Sequence, residues 1–351
     1  DRSPQAPAPP ATATAARTAA AAVADPPPGN RRPGGGSRRR LAARGAGHAV
    51  QLAVVVLLAS VLTFLLASLL PGDPAVAILG PDRAPEDYER VRDELGLDDP
   101  LPARYLDWLG DAVTGDLGRS VVPPNAEVSD RLGSALPVSL ELALLAIGVS
   151  VLIAVPLAMW CAHKPGGRAD RWVSAGAFAS LSLPQFLVGL LLILVMVKNL
   201  DWFPRSEWSR LTEDGLAENL RHAALPVMTV ALGEIAIFTR LLRADLVRTL
   251  GTDFVRAARA RGLSPTRVMV RHALRPSSFS FVTLAGVNLG RLIGSTVIVE
   301  RVFGLPGIGS LLVAAATQGD VRVVQGVVLV VAVIYVVVNG ATKRGDIAYM
   351  E

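Results

Sequence analysis

The chain has 351 residues, 51% of them hydrophobic, with a mean hydropathy of +0.42 and a formal net charge of +5. It is too apolar for an ordinary water-soluble domain, and its charges sit in blocks between apolar runs. This marks a polytopic membrane protein and excludes a nucleic-acid binder, whose arginines would share one soluble face. The lone Cys161 excludes an intrachain disulfide, and the four histidines (His48, His163, His222, His272) lack ligand spacing, so no metal site is expected.

Residues 1–47 are rich in Ala, Pro, Gly and Arg and nearly devoid of large apolar side chains. They cannot bury enough surface to offset the entropy of ordering, and are expected to form a disordered cytoplasmic tail. The tail lacks the apolar core of a cleavable signal. The first span, Ala49 to Leu70, is 22 residues without a charge. As a helix it reaches about 33 Å, enough to cross a hydrocarbon core of about 30 Å. Five further spans follow at Leu136 to Trp160, Trp172 to Val197, Ala224 to Thr239, Ser277 to Val299 and Val323 to Gly340. The expected fold is an all-α membrane protein with six transmembrane helices over residues 48–340 and a short cytoplasmic tail at 341–351.

Charge sets the direction of threading. Arg31, Arg32, Arg38, Arg39, Arg40 and Arg44 precede the first span, Lys164, Arg168 and Arg171 separate the second and third, and Arg248 to Arg275 follow the fourth. Basic loops stay in the cytoplasm, so both termini are placed there. The outer segment, residues 71–135, carries fourteen acidic residues against six arginines. With short helical stretches at Pro85 to Leu95 and Leu101 to Val113, it is expected to form a small folded cap.

The loop at 245–276 is the most distinctive. Phe254, Val255, Ala257 and Ala258 are expected on one face of an amphipathic helix, with Arg256 and Arg259 elsewhere. Gly262 suits a left-handed stop, and Ser264 followed by Pro265 reads as an N-cap with a first-turn proline. Such a helix can lay its apolar face into a groove on another protein, whereas a solvated basic loop facing anionic lipid is the plainer alternative.

Polar groups within spans are costly and call for a partner or a function. Arg291, which falls mid-span, and Asn288, Glu141, Glu234 and Gln185 are candidates to line a pathway. Structural satisfaction is an equal alternative for Glu141, within a turn or two of the outer end of its span, and for Glu234, which can pair with a neighbouring helix. Pro184 and Gln185 mark a kink in the third span, where the glutamine amide can satisfy a freed carbonyl. Gly286, Gly290 and Gly294 recur every four residues. That stripe allows close contact either with a second subunit or with a helix of the same chain.

Four stretches carry a family resemblance: Pro71-Gly-Asp-Pro74, Gly115-Asp-Leu-Gly118 with Ser120, Asp253 to Leu274, and Glu300-Arg-Val-Phe-Gly-Leu-Pro-Gly-Ile-Gly309. In order and spacing, over residues 49–338, they resemble the B-type membrane subunit of dipeptide and oligopeptide ABC importers. Arg256-Ala257-Ala258 with Gly262 occupies the places of the importers' Glu-Ala-Ala, three residues, Gly signature. Two departures stand out: Phe279-Ser280 where the family has Leu-Pro, and an unusual end from Gly340 onward. The resemblance implies the type I importer permease fold and ATPase coupling through Asp253, Phe254, Arg256, Ala257, Ala258, Gly262, Leu263, Arg271 and His272. It also implies a bacterial cytoplasmic-membrane location, and as partners a second homologous permease, two ABC ATPases, an extracytoplasmic binding protein, membrane lipid and a peptide cargo.

The chain lacks a Gly-x-x-x-x-Gly-Lys-Ser/Thr loop, since Gly304 to Ser310 is glycine-rich without the lysine. It is therefore expected to be no enzyme, to have no catalytic residues and to bind no cofactor, with ATP and Mg held by the ATPase partners. The rival from another class is an ion-gradient-driven secondary transporter, which would require an inverted repeat that the sequence does not display. An intramembrane enzyme fits poorly, because His222, His272 and Cys161 all lie near span edges.

Overall fold

The computed structural model of the chain describes residues 50, 53–66, 68, 74–80, 82–94, 96–204, 208–211 and 215–349. The chain divides into two units at residues 51 and 52, and the first unit lies almost wholly outside the described residues, as does the expected tail at 1–47. The second unit is helical, and its described residues contain no strand.

Its helices are α1 (Ala53–Leu66), α2 (Pro74–Leu79), α3 (Pro85–Glu94), α4 (Leu101–Thr114), α5 (Val128–His163), α6 (Arg168–Ser182), α7 (Gln185–Asn199) and α8 (Leu216–Leu250). The remainder are α9 (Asp253–Ala260), α10 (Pro265–Ser295), α11 (Val297–Phe303), α12 (Ile308–Gln318) and α13 (Val321–Tyr349). Among the described residues three helices, α5, α8 and α13 up to Thr342, are long and apolar enough to cross a bilayer, or five if each bent pair is one span. The expected first span, 49–70, falls partly outside the described residues.

The core is the α5–α8 pair. On α5, Ala143, Ala146, Ser150, Ala154, Ala158 and Ala162 recur at three- and four-residue steps and are all buried. Small side chains let the α8 backbone approach closely, and Ser150 Oγ reaches Ala231 O at 3.3 Å. Val138, Leu142, Val227 and Val230 fill one end of this contact, while Phe238, Leu242, Leu246 and Phe281 fill the other. Buried residues make up 61% of the apolar stretch of α8, against 33% for α5 and 22% for α13, which makes α8 the central helix.

Several element ends differ from expectation. α8 has 35 residues where Ala224 to Thr239 was expected, and α5 has 36. Hydropathy marks the bilayer-thick part of a helix, whereas arginine, alanine and leucine beyond it continue the helix readily. The predicted tail from residue 341 is likewise helical as far as Tyr349.

The expected kink in the third span is a break, with α6 and α7 meeting at 101°. Proline disfavours the helical conformation in the residue before it, and Leu183 is extended at ψ 129°. The fifth span bends by 54° at Thr296.

Gly286, Gly290 and Gly294 face α13 of the same chain. A Cβ at Gly290 would lie 3.4 Å from Tyr335 and 3.5 Å from Val338, and one at Gly294 would lie 3.2 Å from Val331. α4 docks on α1 through Phe64, Tyr105 and Trp108, with the Phe64 and Tyr105 rings edge-on at 5.4 Å and Ser60 Oγ 2.8 Å from the Tyr105 hydroxyl. This contact gives α4 a folded attachment to α1.

Candidate functional site

The segment after α8 forms a self-packed knuckle. α8 ends at Gly251, α9 follows from Asp253, and the chain reverses at Gly262, whose φ of +79° suits glycine. Ser264 Oγ then accepts the Arg267 N–H at 3.4 Å and starts α10. Burial corrects the expected face of α9. Val255 and Ala258 point inward onto Leu250, Leu263 and Val268, while Phe254 (50% exposed) and Ala257 point outward with Arg256 and Arg259. The physical reason is the one-turn length of the contact: a single i, i+3 pair fills the space between α8 and α10, leaving no room for the neighbouring apolar positions.

Asp253 lies outside this core, paired with Arg256 at 3.3 Å. Arg271 is exposed, whereas His272 is half-buried and its Nδ1 has no hydrogen-bond partner among the described residues.

The intramembrane candidates separate into a cluster and two outliers. Glu234 on α8 is buried and accepts from Asn288 Nδ2 at 2.8 Å and from Arg291 Nη2, both on α10. The Arg291 side chain remains 47% exposed, against 2% for Glu234. The carboxylate thus holds the guanidinium from behind and leaves its outer edge free. Gln185 stands at the start of α7 with its amide nitrogen near Gly233, one residue from Glu234 in sequence. Glu141 is half-buried on α5 and does not join the cluster.

A second buried carboxylate was not singled out in the sequence. Glu300 on α11 is inaccessible to solvent and accepts Ser139 Oγ at 2.7 Å, Thr296 Oγ1 at 2.9 Å and the Ser310 N–H at 2.9 Å. Ser139 Oγ in turn accepts the Ile308 N–H at 2.8 Å. Gly307 and Gly309 lie so close that a Cβ at either would stand under 3.0 Å from Glu300. Together these contacts explain the Glu300 to Gly309 stretch as a polar knot tying α11 and α12 to α5.

The chain matches the binding-protein-dependent transport system inner membrane component family over residues 154–343, and that family's N-terminal component over residues 43–133. The chain belongs to this family. The oligopeptide transport system permease protein AppB of Bacillus subtilis is 34% identical over 281 residues, covering 80% of this chain and 89% of the relative. A putative peptide transport system permease protein of Brucella abortus is 35% identical, covering 81% and 90%. A probable peptide ABC transporter permease protein of Sinorhizobium fredii is 32% identical, covering 81% and 90%. Among solved structures, an amino acid ABC transporter crystallised with histidines is similar at a TM-score of 0.48 and 14% identity, over 62% of this chain and 94% of that one.

This transport component carries two further charge contacts that sequence reading passed over. Asp320, at the start of α13, is buried and accepts from Ser120 Oγ and from Arg131 Nη1 at 3.3 Å. This places the Gly115 to Ser120 stretch against α13, with Asp116 Oδ1 closing its turn on the Gly118 N–H at 2.8 Å. At the knuckle end Asp170 binds Arg243 through both carboxylate oxygens and accepts the Gly166 N–H at 2.7 Å, fastening α6 to α8. The one sequence signal for either was an acid placed directly before or within an apolar run. Among the described residues no group of three or more metal-ligating side chains comes together.

Proposed function

We propose that this chain is the membrane subunit of an ATP-driven importer of dipeptides or oligopeptides in the bacterial cytoplasmic membrane. It surrounds a pathway together with a second, homologous permease. Two ATPase subunits, which hold the ATP and Mg, close on nucleotide and move the knuckle, and an extracytoplasmic binding protein delivers the peptide. The peptide permeases among its relatives support the cargo class. The observation that carries the coupling reading is the division of α9 into an inner face, Val255 and Ala258, and an outer face presenting Phe254, Arg256, Ala257 and Arg259.

The inner face gives the knuckle a fixed shape, so a push on Phe254 is passed to α8 and α10 instead of being lost in loop motion. Rigid transmission of this kind converts closure of one body into rocking of another. The Glu234, Asn288 and Arg291 cluster, at the α8–α10 contact, then lies where those two helices shift against one another and lines the pathway. Gln185 flanks it, and Glu141 lies apart. Co-purification tests the coupling: replacing Phe254 with Asp abolishes recovery of the ATPase subunits while the permease still enters the membrane. Full recovery and full ATP-driven uptake in that variant overturn the assignment.

A further inference from the structure

At the end of the molecule away from the knuckle, a cleft of about 400 Å³ opens between the start of α5, the α11–α12 turn and α12. It is at the small end of the range for ligand sites, about 300–1,000 Å³. Arg131 and Arg301 supply its charge, and Leu305, Pro306, Leu311 and Ala314 supply its apolar walls. The two arginines are not equivalent. Arg131 is already engaged by the buried Asp320 at 3.3 Å. Arg301 is exposed and forms neither an ion pair nor a side-chain hydrogen bond with any described residue.

The neighbouring acid does not occupy the Arg301 guanidinium, because Glu300 is buried and its oxygens accept from Ser139, Thr296 and the Ser310 N–H. Arg301 therefore keeps its guanidinium N–H groups unoccupied beside the apolar walls of the cleft, whose lining includes Gly307, the residue before the 11-residue α12. A guanidinium with a free edge recognises a carboxylate through two parallel N–H···O bonds.

We propose that this cleft is a carboxylate-binding site, in which Arg301 receives the C-terminal carboxylate of peptide cargo and the apolar walls receive its last side chain. The inference rests on the peptide-importer reading and adds a position and a chemistry to it.

The test is chemical footprinting of the assembled importer in nanodiscs with phenylglyoxal, an arginine reagent, read by mass spectrometry at Arg301 and at exposed Arg171. A short peptide with a free C-terminus is expected to slow modification of Arg301 several-fold, its C-terminal amide to leave it unchanged, and neither to affect Arg171. Equal modification under all conditions overturns the proposal. So does protection by the empty binding protein alone, which would place the carboxylate on that protein's surface.

In proteoliposomes with saturating loaded binding protein, wild-type is expected to take up the free acid faster than the amide. Arg301→Gln is expected to take up both at one rate. Retained discrimination by that variant also overturns the site. ATP-driven uptake of the free acid by wild-type is the separate check on the importer reading, so the failure of one is distinguishable from failure of the other.

Discussion

Arg291 and Glu234 show how a contact changes the meaning of a substitution. Taken alone, Arg291→Leu removes a charge from a membrane helix and should be benign for folding. Because Glu234 is buried and held by Arg291 and Asn288, the same change strands a carboxylate. Breaking a fully buried pair costs about 3–5 kcal/mol, and the 47% exposure of the Arg291 side chain places this pair below that range. We expect Arg291→Leu to lower the thermal unfolding midpoint in detergent markedly, and the double variant with Glu234→Leu to recover most of the loss. An additive double variant would show that the pair is not coupled. Gly262 presents the opposite case. A Cβ there meets nothing within 4 Å, so its role is conformational and not one of close contact. Gly262→Ala should cost about 1–2 kcal/mol for left-handed backbone, read as faster amide exchange across α9. Unchanged exchange would contradict this.

Among elements, α9 separates packing from recognition. Ala258→Leu forces bulk between α8 and α10 and should cost about 1–3 kcal/mol in stability. Phe254→Ala, on the open face, should leave stability within about 0.5 kcal/mol while weakening ATPase binding. The reverse pattern, measured by thermal unfolding and co-purification, would mean that the inner and outer faces have been exchanged. The start, stop and cap of this element were legible because Gly262, Ser264 and Pro265 act through local backbone chemistry. Its facing was not, since Val255 and Phe254 are equally apolar and only the space between α8 and α10 chooses between them. The same limit applies to Leu183, where the proline signal announced a kink but the 101° angle depends on what each half packs against. Glu300 and Asp320 were illegible for a related reason. Their partners lie 161 and 200 residues away, at Ser139 and Ser120, and no local pattern links such positions.

For the whole molecule, the charge rule supplies a threading direction that labelling can check. A cysteine replacing exposed Arg259 should react with a membrane-impermeant maleimide only from the cytoplasmic side, and one replacing Arg90 only from outside. Interchanged reactivities would invert the topology. The glycine stripe of α10 has a wider consequence. Its close-approach capacity is consumed within the chain, where Gly290 and Gly294 seat Tyr335, Val338 and Val331 of α13. Gly290→Leu should consequently lower the unfolding midpoint of the isolated subunit, whatever its effect on assembly, and an unchanged midpoint would contradict that packing. What remains outward on α7 is bulk, including Phe186, Leu187, Leu190 and Leu191. Whatever adjoins that flank, hydrocarbon or a sister subunit, meets knobs and not bare main chain, so fidelity of pairing there is a matter of side-chain contour.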